Sequence, residues 1–199
     1  MQFFVFTFQI ANMKLEHAAL VDLLQRAYSA EKAAAFAYQG HAGSIRDKTL
    51  KEVIRVIEND EWNHRREVLS IMQEYDIPIS TYYEFKFYII GKIISSSCYV
   101  IGWFMPFFFA GRLESGNVCE YFRMKQYFNS IQIHRHDQLL YDMGMKEKEH
   151  EVYFLEQIKE SKLLPFFERI FSWGKNKGFN NIDLEKKYPM EKSDVYCKK

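Results

Sequence analysis

Glu61 and His64 stand three positions apart in the stretch "IENDEWNHRREVLS", and Glu147 and His150 repeat that spacing in "MGMKEKEHEVYFLEQI". On a helix, residues at i and i+3 share a face, so each pair presents a carboxylate oxygen and an imidazole nitrogen toward one point. Both pairs are in phase with apolar stripes. Ile54, Ile57, Glu61, His64, Val68 and Ile71 form one, and Leu140, Met143, Glu147, His150 and Phe154 form the other. That is the seam of a helical bundle, where an isolated charge costs several kcal/mol (roughly) unless it is paired or bound to a metal.

Two more acids complete the pattern. Glu31 shares a stripe with Leu24, Ala27, Tyr28, Ala35 and Tyr38 and precedes Glu61 by about thirty residues. Glu114 shares a stripe with Phe107, Ala110, Asn117, Tyr121, Met124 and Phe128 and precedes Glu147 by a similar distance. Glu120 is a rival to Glu114, since Phe109, Leu113, Gly116, Met124 and Tyr127 also form an apolar stripe in its phase. The chain therefore reads as two halves, each Glu…Glu-x-x-His. Two carboxylate-only helices and two Glu-x-x-His helices are the donor set of a dinuclear carboxylate site. Four carboxylates and two imidazoles suit two Fe ions, or an Fe/Mn pair, better than tetrahedral zinc. The competing reading is a buried polar network without metal. Tyr38 and Tyr121 follow Glu31 and Glu114 by two turns, and either pack in the core or hydrogen-bond to these acids.

These residues require helices to carry them, and the periodicity supplies an all-α chain. Helices are expected over about 15–42, 48–75 and 134–160. A long third element covers about 82–131 and is kinked or broken near Pro106 and its glycines. "DIPIS" at 76–80 closes the second helix. "LLPFFERIFSWG" at 163–174 forms a short C-terminal aromatic helix. His41 is expected to help end the first helix, and His134 and His136 to lie at the surface or at a cap. The expected domain spans 13–174, with residues 1–12 as an N-terminal extension and 175–199 as a polar, lysine-rich tail.

The 199 residues and 48% hydrophobic content allow one domain with a sizeable core. A net charge of +1 gives no global field for nucleic acid, and none is expected as a partner. Three separated cysteines form no CxxC pair, which argues against rubredoxin-type or zinc-ribbon modules and for a reducing compartment. The uncharged run from Ile93 to Gly111 is long enough to be a membrane-span candidate, but it holds three serines and Pro106 and merges into the stripe of Glu114. The favoured expectation is a membrane-facing surface in which Trp103, Phe104 and Phe107 to Phe109 dip into lipid, with the segment 166–173 adding to it.

"EKAAAFAYQG", "ENDEWNH", "GRLESGNVCEYF" and "KEKEHEVYF" resemble the ferritin-like di-iron proteins and are most similar, within them, to the demethoxyubiquinone hydroxylases of ubiquinone biosynthesis. Leu113 stands where that family has a second acid beside Glu114. The resemblance implies a ferritin-like four-helix bundle with Glu31, Glu61, His64, Glu114, Glu147 and His150 as metal ligands. It further implies an O2-activating monooxygenase that hydroxylates a lipophilic, quinone-like substrate at a membrane surface, with no catalytic residue beyond the ligands. The expected location is the cytoplasm, peripheral on the inner face of a membrane, and a homo-oligomer is compatible with it. Two other classes fit the same residues: ferritin-like iron oxidation and storage or peroxide scavenging, and a non-enzymatic helical interaction protein with a polar core.

Overall fold

The computed structural model describes residues 14–174. The two terminal segments expected from sequence lie outside these residues. Within them the chain is all-helical, with six helices: α1 (Ala18–Ser44), α2 (Lys48–Glu74), α3 (Thr81–Ser97), α4 (Phe104–Ser130), α5 (Asp137–Ile158) and α6 (Leu164–Phe171). α1 packs on α2, α4 packs on α5, and α3 lies against α1. Two helical hairpins thus form the bundle, and the crossover between them carries its own helix.

Local chemistry sets the helix ends. The Asp47 carboxylate accepts a hydrogen bond from the Leu50 amide at 2.8 Å and starts α2, and Ser80 accepts from the Tyr83 amide at 3.3 Å and starts α3. α2 and α4 end alike. Asp76 and Gln132 take positive φ (53° and 63°), and the next amides return to carbonyls five residues back, Ile77 to Met72 at 2.8 Å and Ile133 to Phe128 at 3.0 Å. This is the left-handed helix-stop motif, used here without glycine.

The long third element is broken, as its proline and glycines suggested. It is two helices, separated at residues 98–103, ahead of Pro106. The turn uses Gly102 at φ +79°, while Pro106 sits in the first turn of α4, where a missing amide donor costs nothing. The break resets the helical phase. Phe104, Phe107 and Phe108 consequently point into the core, and Phe107 and Phe108 are fully buried. The expectation that these rings meet lipid is therefore corrected. Trp103 is exposed and Phe109 half-buried; within 166–173, Phe166 and Ile170 are exposed while Trp173 is buried. Among the described residues no helix is long and apolar enough to cross a membrane.

Two large apolar clusters make up most of the core, beside a small third one around Val118 and Phe122. Leu20, Leu24, Tyr75, Phe128 and Leu140 belong to one apolar cluster. Ile54, Phe107, Phe108, Phe154 and Ile158 belong to the other. The acids and histidines of interest lie along the same four helices, between these plugs.

α3 is held by a polar clamp at one end and a close backbone approach at the other. Glu84 accepts hydrogen bonds from Ser29 Oγ (2.9 Å), Lys32 Nζ (2.5 Å) and both terminal nitrogens of Arg65 (3.0 and 3.1 Å), joining α3 to α1 and α2. Near the other end, a Cβ on Gly40 would lie 2.2 Å from the Ser95 carbonyl oxygen. Gly40→Ala must therefore push α3 away from α1. The expected cost is about 1–3 kcal/mol. It should be read as a lower Tm with near-normal helical circular dichroism, and as faster amide exchange in α3 than in α2 or α5.

Candidate metal centre

Each helix of the bundle contributes through the phase that buries its stripe. Glu31, Glu61, His64, Glu114, Glu147 and His150 are all buried. They assemble as two overlapping quartets. One is Glu31, Glu61, His64 and Glu147, and the other is Glu61, Glu114, Glu147 and His150; within each, one ligand atom per residue lies within 4.8 Å of the others. Glu61 and Glu147 belong to both. That is the arrangement of two adjacent cation positions with two shared carboxylates, each position completed by one further carboxylate and one imidazole.

All six sequence-predicted residues are brought together, with Glu114 rather than Glu120 in the cluster. Glu120 turns outward and pairs with Arg26 at 3.2 Å. Both imidazoles direct Nδ1 inward: His64 Nδ1 lies 2.8 Å from Glu147 Oε1, and His150 Nδ1 lies 3.6 Å from Glu61 Oε1 and 3.8 Å from Glu147 Oε2.

The donor set fits a cation. Both oxygens of Glu61 and of Glu147, Glu31 Oε2, Glu114 Oε1, and Nδ1 of His64 and His150 are buried without a hydrogen-bond partner. Native proteins pair nearly all such atoms. Eight orphaned donor atoms facing one another are accounted for by a ligand that accepts lone pairs, and oxygen-rich coordination of this kind suits iron or manganese.

The remaining valences are satisfied from behind. The Tyr121 hydroxyl donates to Glu31 Oε1, and its ring meets His64 edge to face at 5.7 Å. Asn117 Nδ2 donates to Glu114 Oε2 at 3.1 Å. His150 Nε2 lies 3.2 Å from Asp60 Oδ2, which fixes the tautomer that leaves Nδ1 free. Tyr38 instead stacks on Phe154, with ring centroids 5.6 Å apart. Asp60 is the residue that sequence reasoning missed. Its place immediately before Glu61 turns it toward α5 rather than into the seam.

Other histidines divide. His134 is exposed, whereas His136 is buried, bonded to the Tyr75 hydroxyl at 2.8 Å, and contributes no side-chain cap to α5. His41 lies in the last turns of α1, fully enclosed.

Crowding the acids shifts their protonation. Burial, reinforced by the negative charge of Glu147, raises Glu31 from 4.5 to about 7. Burial and the same neighbour push Glu61 and Glu114 well above the carboxylate range. Burial alone would raise Glu147 too, but its contacts with the Glu114 carboxyl and the two imidazoles hold it well below that range. Burial opposes charge on His64 and His150, yet Glu147 lifts His64 to about 9, and Asp60 with Glu147 raises His150.

A cavity of about 360 Å³ reaches this centre from the side. It runs between α1, α3 and α4 and touches Glu114 and Asn117 at its inner end, with walls that include Ile94, Met105, Phe109 and Leu113. A second hollow, about 130 Å³, touches Glu31 and Tyr121 between the same helices.

Compared with family models, with curated proteins and with solved structures, the chain matches none.

The protonation pattern gives a signed prediction for the metal-free protein. Glu31 and His64 have folded-state pKa values above their unfolded ones. Their contribution to stability is present below the unfolded values and is lost as pH rises through about 7 and about 9. Glu147 works in the opposite sense, losing its contribution only at acid pH. The metal-free chain should therefore melt about 5–10 °C lower at the alkaline end of this window than at its acid end. Added divalent metal should close the gap while releasing protons, measurable by calorimetry in buffers of different ionisation enthalpy. A Tm that rises with pH across this window would contradict the assignment.

Proposed function

We propose that this protein is an O2-activating dinuclear iron oxidoreductase (Fe/Mn being the variant), and that it acts as a monooxygenase hydroxylating a lipophilic, quinone-like molecule. The observation that carries the reading is the pair of overlapping quartets sharing Glu61 and Glu147, set at the inner end of an apolar cavity. The sequence resemblance to demethoxyubiquinone hydroxylases supports the choice of substrate class. The apolar lining of that cavity favours oxidation of an organic molecule over the iron-storage reading, which calls for a polar entry route for ions.

In this mechanism Glu61 and Glu147 would serve both metal ions, Glu31 and His64 would hold one of them, and Glu114 and His150 the other. When bound, the metal pair supplies the redox chemistry by which O2 gives one oxygen atom to a C–H bond and the other to water, with two electrons and two protons from an external reductant. The chain does the rest. The Tyr121 hydroxyl holds Glu31, and the Asn117 amide holds Glu114. Asp60 keeps His150 turned with Nδ1 toward the metals. The two apolar plugs exclude water, so the charges that develop are met by fixed groups.

Substrate delivery is proposed to occur from a membrane surface, through α3 rather than through the start of α4. Tyr82, Phe85, Ile89, Ile93 and Val100 are exposed along one side of α3 and the turn after it, with Lys86 and Lys92 on the same helix. Exposed apolar side chains at helical spacing beside lysines suit the interface of an anionic bilayer. Ile94 and Ile101, from the same segment, line the cavity.

Three measurements test these statements. Reconstitution under reducing conditions should load about two Fe (or Fe/Mn) per chain. Glu61→Ala should lose nearly all metal, because Glu61 belongs to both quartets, while Glu114→Ala should retain about half; elemental analysis with the optical spectrum decides. Product analysis after supplying a quinone-like lipid, a reductant and O2 should find hydroxylated lipid. Rapid ferroxidase activity with mineral growth in a large shell, and no lipid product, would replace this reading with storage. In sedimentation with vesicles containing anionic lipid, the double variant Phe85→Asp/Ile93→Asp should bind at least about tenfold more weakly than wild type and keep its metal. Equal binding would remove α3 from the interface.

A further inference from the structure

His41 is the one buried histidine that neither the metal centre nor the packing at Tyr75 accounts for. It is 2% exposed. It stands edge-on to Phe107, with ring centroids 4.5 Å apart, and 6.1 Å from Phe154. Its Nε2 has no hydrogen-bond partner. Burial lowers its pKa to about 4, so the ring is neutral at physiological pH. An unsatisfied buried polar group is costly, and a phenylalanine among these aromatic neighbours would avoid that cost.

The position of His41 explains what the nitrogen is for. It lines the cavity that ends at Glu114. It also lines a second cavity of about 440 Å³ bordered by Arg46, Asp47 and Trp103, and Cys98 and Pro106 share this position between the two. Glu31 and His41 are ten residues apart on one helix, about 15 Å at 1.5 Å per residue. The walls between Glu114 and His41 are mainly apolar; of the other polar side chains there, Ser97 donates to the Ile94 carbonyl and Asn117 to Glu114, whereas His41 Nε2 is buried and unpaired.

We infer that His41 Nε2 is the polar anchor of the substrate cavity, and that the cavity takes an elongated apolar molecule carrying a hydroxyl or carbonyl oxygen placed to reach His41 while its other end lies at Glu114. A neutral imidazole nitrogen donates or accepts according to its tautomer, so a hydroxyl satisfies either form and a carbonyl satisfies the protonated one. Assigning the reacting end to Glu114 rests on the function proposed above; the hydrogen bond at His41 does not require metal.

The test uses the full chain, metal-free and iron-loaded, with 4-phenylphenol and biphenyl as matched probes. The ratio of their dissociation constants, biphenyl over phenol, should fall by about tenfold from wild type to His41→Phe and stay within about threefold of wild type in His41→Gln, which keeps a hydrogen-bonding group. In 15N-histidine-labelled, metal-free wild-type protein, the His41 ring resonance, identified by its absence from His41→Gln, should shift with the phenol and not with biphenyl. Equal ratios in wild type and His41→Phe, no binding of either probe to wild type, or a His41 resonance indifferent to the phenol would each overturn the inference. If His41→Phe does not fold, the wild-type resonance decides alone. Because iron content is measured on the same samples, loss of metal binding with an intact probe ratio would fail the proposed function and leave the anchor standing. A flat ratio at full metal occupancy would do the reverse.

Discussion

Glu61 and Glu147 face each other from α2 and α5 with every oxygen shielded from water and none hydrogen-bonded. Two more carboxyls close the ring from α1 and α4. Removing one carboxylate from water costs several kcal/mol even after relaxation, and four together repel one another as well. The protein answers partly by protonation: burial favours the neutral forms of Glu61 and Glu114, while the imidazoles of His64 and His150 favour negative charge on Glu147. It answers partly by fixing the outer oxygens through Tyr121 and Asn117. These measures still leave Glu31 Oε2, both oxygens of Glu61 and Glu114 Oε1 without a hydrogen-bond partner. A chain that keeps this cluster carries a standing penalty in the metal-free state, and the remaining architecture must supply enough apolar burial to tolerate it.

That burial is arranged as two plugs rather than one continuous core, with Phe107, Phe108 and Phe154 on one side of the acids and Tyr75, Phe128 and Leu140 on the other. The separation matters because a low-dielectric wall on each side strengthens every interaction within the cluster, leaving the lateral cavity at Glu114 as the approach to it. The two hairpins also stop in the same way, at Asp76 and Gln132. With the repeated Glu…Glu-x-x-His order, this makes the halves of the bundle structural counterparts. The halves differ behind the histidines: Asp60 precedes Glu61 and supports His150, whereas Lys146 precedes Glu147 and pairs outward with Glu149 at 2.7 Å. The two proposed metal positions therefore have unequal surroundings, with a carboxylate standing directly behind His150.

Much of this was legible in the sequence because polar residues in phase with an apolar stripe have few bland explanations. The stripes of α1, α2 and α5 placed Glu31, Glu61, His64, Glu147 and His150 in the seam, and the aromatic segment after α5 is a helix as its composition suggested. The third element was harder. Periodicity reports the phase within a helix but not across a break, so the uncharged run from Ile93 to Gly111 read as one surface when residues 98–103 divide it into two helices with unrelated faces. The phenylalanines assigned to lipid fell into the core for that reason, and the exposed stripe of α3 went unnoticed. Asp60 was overlooked because its role depends on where α5 lies, and no spacing within α2 encodes that.

The break in the third element also follows from length. One helix from Thr81 to Ser130 would extend about 75 Å at 1.5 Å per residue, against about 40 Å for α1, α2 or α4. The segment must fold back, and the place where it does so creates the cavity. α3 is fixed to the bundle by Glu84 at its first turn and by the close approach of Ser95 to Gly40 near its last. The turn at 98–103 then carries the chain from α3 to the start of α4, so Ile94 and Ile101 face Met105 and Phe109 across a gap instead of packing along one helix. The outward side of the same segment holds Ile93, Val100 and Trp103 in solvent. An apolar exterior, an apolar passage and the Glu114 carboxyl thus lie along one path, and all three depend on a helix that could not continue straight.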